Sequence, residues 1–214
     1  MKNVSVFVQC DEQKTNPHKG EHMKRTLLLV FILALATFAF AQNTYYWFGG
    51  ISDDWDDSGN WQTGQVPTAN DNAVITAMGS YLPVVHSNAA CYKLSLSAGT
   101  TLAIGGSVTF TVNEKLETAG SVVLNTSSTL VVKDWAKWLS NSSLSFAGTQ
   151  GRAFCEFYKD LTIETPNFNA VSTTISFVGP SFSSFNNSST NTYIDFLYIN
   201  KSSSVMSSLT SRMG

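Results

Sequence analysis

Charge is scarce in this chain: 13% of its 214 residues are Asp, Glu, Lys or Arg. From Gln42 onward 12 acidic residues face 8 basic ones, a formal charge of −4, and the basic residues are scattered. Phosphate backbones are bound by clustered Lys and Arg, so nucleic acid is excluded as a partner. Cysteine and histidine are equally rare, at 3 each. From Gln42 onward no CxxC or HxxxH spacing occurs, which removes the usual zinc ligand sets there and leaves no metal or cofactor to predict. Long apolar runs are missing too, with one exception, Leu27–Phe40. That run is shorter than the roughly 20 residues a membrane-spanning helix needs, so no transmembrane segment is expected.

The exception has a specific form. Met23-Lys24-Arg25 supplies a short basic start, Leu27–Phe40 an apolar stretch, and Ala39-Phe40-Ala41 small residues at both recognition positions of a cleavage site. This order predicts a signal peptide over residues 23–41, cut after Ala41, and a secreted or cell-surface location. Residues 1–22 are polar and aperiodic, and they precede a Met that would itself serve as a start. They read as a misassigned or extended N-terminus, which sets Cys10 and His18 aside. Cys91 and Cys155 remain after cleavage. One disulfide would close a long loop between them; two separately buried thiols is the simpler reading.

Ser, Thr, Asn and Gly dominate what is present, with Val, Leu, Ile, Phe and Tyr as apolar partners, a mixture suited to pleated sheets and tight turns. Residues 42–88 are aromatic and irregular, broken at Gly49-Gly50, Ser58-Gly59 and Pro67. From Ala89 the texture changes to short units of strict alternation: Leu94/Leu96, Leu102/Ile104, Val108/Phe110/Val112, Val122/Leu124 and Leu130/Val132. Period-2 alternation between turn residues is the strand signal. The segment Asp134–Leu139, DWAKWL, is the one stretch that reads as a helical turn.

Two all-β architectures fit this spacing. In a β-sandwich the units would form antiparallel hairpins, with Gly105-Gly106 as a two-residue turn. In a parallel β-solenoid, or β-helix, each short strand would cover the apolar face of its neighbour. The short strands, their repetitive turns and the outward Ser and Thr favour the solenoid over residues 89–214, with residues 42–88 as an aromatic N-terminal cap. The C-terminal SSLTSRMG has no capping composition, so the array is expected to continue beyond Gly214.

The segment YYWFGGISDDWDDSGNWQTGQVPTANDNAVI resembles the opening of large secreted surface proteins of the Bacteroidetes type. There a tryptophan-glycine-glycine start, an aspartate-tryptophan, an asparagine-tryptophan and a valine-proline-threonine-x-x-aspartate precede a repetitive β-helix. The resemblance extends through KLSLSAGTTLAIGG and YINKSSSV. It implies an exported, adhesin-like surface protein, whose partners would be glycans or other surface proteins; the non-catalytic reading rests on the residues below. The resemblance equally admits the front of a secreted carbohydrate-active enzyme or a carbohydrate-binding module.

Asp53, Asp54, Asp56 and Asp57 form the densest acidic cluster. Four carboxylates in one loop would suit Ca2+, although their spacing is not that of an EF-hand; a solvated acidic turn around Trp55 is the alternative. Asp71 with Asn72 reads as an Asx turn before a strand. Trp47, Trp55 and Trp61, with Tyr45, Tyr46 and Phe48, would either stack on sugar rings or plug the apolar end of the first coil. No catalytic residue stands out. Glu114, Glu117, Glu156, Asp160, Glu164 and Asp195 show no pairing suited to glycoside hydrolysis. His86 is the only histidine after Ala41, and no GxSxG accompanies it.

Overall fold

The computed structural model describes residues 42–189 and 192–201, and the backbone of 208–211. The expectations for residues 1–22, for the signal segment 23–41 and its cleavage after Ala41, and for continuation past Gly214 lie outside the described residues.

Short strands follow one another around successive coils. The first coil holds β1 (Thr44–Trp47), and the next β2 (Asn72–Ile75), β3 (Val84–Val85) and β4 (Ala89–Cys91). Then come β5 (Lys93–Leu96), β6 (Thr101–Ile104) and β7 (Thr109–Val112), followed by β8 (Lys115–Thr118), β9 (Ser121–Leu124) and β10 (Thr129–Val132). The next coil has β11 (Trp135–Trp138), β12 (Ser143–Phe146) and β13 (Ala153–Phe157). The last elements are β14 (Leu161–Ile163), β15 (Asn167–Gly179), β16 (Ser184–Asn187), β17 (Tyr193–Lys201) and β18 (Ser208–Ser211).

Among the described residues β1 and β2 are the only strands consecutive in sequence that pair with each other. Otherwise each strand pairs in parallel with its counterpart roughly twenty residues on, as Leu94 does with Leu116 and Leu102 with Val122. The chain is therefore a parallel β-solenoid with three faces. Sheet A runs β1-β2-β5-β8-β11-β14-β16-β18, and a ten-stranded sheet is folded around β15 into two limbs. Limb B is β3-β6-β9-β12-β15; limb C is β15-β13-β10-β7-β4, with β17 added outside β15.

The sandwich alternative is overturned. β6 and β7, on either side of Gly105-Gly106, lie in different limbs and do not form a hairpin. The helical turn at DWAKWL is also a correction. Trp135–Trp138 is strand β11, held in register by Leu116 below Ala136 and Leu161 above it. Trp135 and Lys137 face out while Ala136 and Trp138 face in. Alternation and two flanking ladders outweigh the helical propensity of a short segment.

Inward residues stack into rows along the solenoid. One row runs Leu94, Leu116, Ala136, Leu161, Phe185; another runs Leu96, Thr118, Trp138, Ile163. Size is compensated locally, since the large indole of Trp138 lies on Thr118 and beside Ala136. The buried Thr118 hydroxyl donates to Gly120 O and accepts from Gly120 N, so its desolvation is offset. Corners reuse one device. Thr100 donates to Ser97 O, Ser128 to Asn125 O and Ser142 to Leu139 O, each buried hydroxyl closing its own turn three residues back.

The coil pattern begins before Ala89, where the sequence texture changes. β1 and β2 are already the first strands of sheet A. Asp54 bridges in parallel to Val84, so residues 53–55 lie along limb B one coil ahead of β3. The aromatic segment is thus itself coiled, making the first coil and most of the second.

Candidate functional site

The three tryptophans of the first coil are 0–2% exposed. Trp55 packs edge-on against Trp61 at 4.7 Å and Phe110 at 4.9 Å, and Trp61 against Trp47 at 5.2 Å. Trp61 Nε1 donates to Trp55 O and Trp47 Nε1 to Tyr81 O. A sugar platform needs an exposed ring face, and these rings have none. Of the other aromatics singled out, Tyr45 is buried, whereas Tyr46 and Phe48 are exposed.

The chain between these rings is knitted by Asn60, which is fully buried. Its Oδ1 accepts from the amides of Ile51 and Ser52, and its Nδ2 donates to Asp54 O and Ser52 Oγ. A side chain that satisfies four backbone and hydroxyl groups fixes the loop that carries Trp55 inward. The sequence pointed to this residue only through its position before Trp61.

The four aspartates are put to separate uses. Asp57 Oδ1 caps the 3-10 turn Ser58–Asn60 by accepting from Gly59 N, and its Oδ2 accepts from Ser52 Oγ. Asp54 accepts from Asp56 N, Asp56 from Ser87 Oγ, and Asp53 lies 3.7 Å from His86 Nε2. Among the described residues, no group of three or more His, Cys, Asp or Glu side chains is arranged to hold a metal ion. The structure does not bring these carboxylates to one centre. The Asx turn expected of Asp71 is not what forms: its Oδ2 reaches back three residues and accepts from Thr68 N and Oγ1. Burial pushes its carboxyl up, but the hydrogen bonds from Thr68 and Asn43 outweigh it and hold the group below the ordinary carboxylate value.

The scattered carboxylates mostly meet cations or amides. Glu114 pairs with Lys93, Glu117 with Lys115 and Glu164 with Lys137 on the outside of sheet A. Asp160 accepts from Ser184 N and Oγ, and Asp195 from Ser172 N. Glu156 points outward on β13. His86 is half exposed and has Asp53, not a serine, beside it.

Cys91 and Cys155 are free and buried. They lie on β4 and β13, three strands apart in limb C. At about 4.8 Å per strand this separation is near 14 Å, twice what a disulfide spans. Burial pushes both thiols far up from their ordinary value.

What remains is the outer surface. Limb B presents Thr101, Ser121, Ser143 and Asn167 in one aligned row. Limb C presents Thr109, Thr129, Phe154 and Thr174, with Phe196 after them. Arg152 lies over the Phe196 ring at 3.4 Å. Where β12 and β15 part, a cleft of about 470 Å³ opens between Ser143, Ser145, Asn167, Asn169, Val171 and Tyr193. The alternation did not expose this cleft, because the strand that makes it departs from the repeat.

Residues 46–145 match a family model described as Domain of unknown function (DUF8693). The match begins in β1 and ends in β12, so it takes in the tryptophan coil and the regular coils behind it. No curated protein and no solved structure matches the chain. Among the described residues no helix is long and apolar enough to cross a membrane.

Proposed function

We propose that this chain is an exported, surface-associated β-solenoid protein with a structural or adhesive role and no catalysis of its own. The observation that carries the reading is the outer surface of the coils: aligned rows of Ser, Thr and Asn, with charges that mostly pair off among themselves. Such rows offer many weak, repeated hydrogen bonds to glycans or to neighbouring proteins. Export rests on the basic-then-apolar segment ending at Ala41, and the resemblance of residues 45–75 to adhesin-like openings points the same way. The individual acids support the non-catalytic part, because most are engaged by lysines or backbone amides.

Two measurements test this. Expression in a secreting bacterial host should release a product whose N-terminus is Gln42, and retention in the cytoplasm would refute export. Beads coated with the secreted protein should hold glycan-bearing cells above an albumin-coated control. Equal retention by both would refute adhesion.

A further inference from the structure

We infer that the cleft between β12 and β15 is a binding site for a neutral oligosaccharide. The inference deepens the adhesive reading and rests on it only for the setting, an extracellular protein that meets glycans.

The cleft has a definite origin. β12 and β15 pair only through Ser143 with Asn167 and Leu144 with Phe168. Earlier coils turn the corner from limb B to limb C through a loop, as at Asn125–Ser128. β15 runs through the corner as one strand of 13 residues. It leaves β12 and takes β17 as neighbour, with Asn169 beside Tyr193 and a shift of register between Ala170 and Thr174. Ser172 sits at the kink with φ 54°, and its N–H donates to Asp195 Oδ2. Asp195 Oδ1 accepts from Tyr193 Oη at 3.4 Å. One carboxylate therefore ties the bend of β15 to the aromatic ring at the cleft edge.

The lining defines the ligand class. Ser143, Ser145, Asn167 and Asn169 offer uncharged donors and acceptors from one side. Asn169 Oδ1 accepts from Val171 N, which leaves its amide nitrogen to the cleft. Ser145 Oγ and the Asn167 carboxamide make no hydrogen bond to the described protein residues, so a ligand gains these groups without breaking internal bonds. Tyr193 is 53% exposed and Val171 41%. A flat ring and a methyl pair facing neutral hydrogen-bonding groups match a pyranose, which has an apolar C–H face and a rim of hydroxyls. The volume falls within the range of roughly 300–1,000 Å³ usual for small-molecule sites.

Other classes fit worse. No Lys or Arg lines the cleft, so a sulfated, phosphorylated or uronic ligand finds no counter-charge and meets Asp195 nearby. An apolar ligand would strip water from Ser and Asn side chains without replacing their hydrogen bonds.

The test is calorimetric titration of the full chain with neutral hexasaccharides of glucose, xylose and mannose, beside oligogalacturonate as the acidic probe. Tyr193→Ala and Asn167→Ala should each weaken binding of a neutral probe by about tenfold or more. Tyr193→Phe should keep most of it, because it retains the stacking face. Oligogalacturonate should not bind. Asn167→Ala breaks no hydrogen bond within the protein, so it should melt like the parent and separate lost contact from lost fold. Absence of binding to every neutral probe would overturn the proposal. So would binding that survives both alanine variants, or a preference for oligogalacturonate. Coated beads that hold cells while calorimetry stays silent would sink the cleft alone; saturable sugar binding without cell retention would sink the adhesive role alone.

Discussion

Replacing single tryptophans of the first coil by phenylalanine should separate two roles that burial alone does not. Trp55 and Trp61 are both fully enclosed and touch each other edge-on. Their ring nitrogens differ. Trp61 Nε1 donates to Trp55 O at 2.9 Å, whereas Trp55 Nε1 is buried without a hydrogen-bond partner. Trp→Phe removes about the same volume at either site, so the packing loss is similar. Trp61→Phe additionally leaves a buried carbonyl unpaired, at a cost of about 1–3 kcal/mol. Trp55→Phe loses no hydrogen bond and discards an unpaired donor. For a domain of this size a kcal/mol lowers the melting temperature by about 2–4 °C, so Trp61→Phe should melt several degrees below Trp55→Phe. Trp55→Ala should cost about 3–5 kcal/mol through the cavity it leaves against Trp61 and Phe110. Calorimetric melts give the ranking, and hydrogen exchange gives the location. Protection should fall in β1, β2 and β3 and persist in β13 and β15, because coils of a solenoid stabilise only their neighbours. Equal melting of the two phenylalanine variants would refute the hydrogen-bond argument, and uniform loss of protection would refute the local one.

Gly120→Ala should destabilise by about 1–3 kcal/mol, since its Cβ would stand 2.7 Å from Thr100 O and 2.8 Å from Ser97 O; a urea midpoint equal to the parent's would contradict this corner packing. Ser127, at φ 60°, sends its N–H to Arg152 O of the following coil. Ser127→Gly should be neutral or stabilise by up to about 1 kcal/mol, while Ser127→Val should destabilise by more, and thermal melts that reverse this order would disprove the left-handed corner. Cys91 and Cys155 should resist thiol reagents until the protein unfolds, and reductant should leave the melt unchanged. Because the fold raises both thiols above 9.0, the unfolded chain releases their protons first as pH rises. Stability should therefore decline from about pH 9 upward, and a double Cys→Val variant should flatten that decline.

The regular coils were legible because one face of each strand is buried and the other is wet. Leu94/Leu96, Leu102/Ile104 and Val122/Leu124 could only face inward, and a one-residue slip would expose every one of them. The turn-closing hydroxyls at Thr100, Ser128 and Ser142 repeat with the strands and mark the corners. Trp135–Trp138 misled because a four-residue alternation with Ala and Lys is also compatible with a helix, and only the strands on either side decide it. The uses of Asp53, Asp54, Asp56 and Asp57 could not be read from spacing, since Asp54 and Asp57 answer local amides and a hydroxyl while Asp53 and Asp56 meet His86 and Ser87, which the fold brings from about thirty residues away.

The departures from the repeat share a physical cause, which bears on where binding can occur. In a parallel stack each coil's outer face is set by the coil beneath it, so regular coils produce flat rows. Concavity requires two neighbouring strands to part. β12 and β15 do so because β15 crosses the corner without a turn, and Asp195 from β17 secures the bend at Ser172. The buried apolar rows continue beneath it through Leu144 and Phe168, so the core there is not interrupted. A solenoid can therefore change the path of one strand at its surface while keeping its interior periodic. That is why the cleft at Asn167 and Tyr193 lay beyond the reach of alternation, and why substitutions on its polar rim should alter binding with little effect on folding.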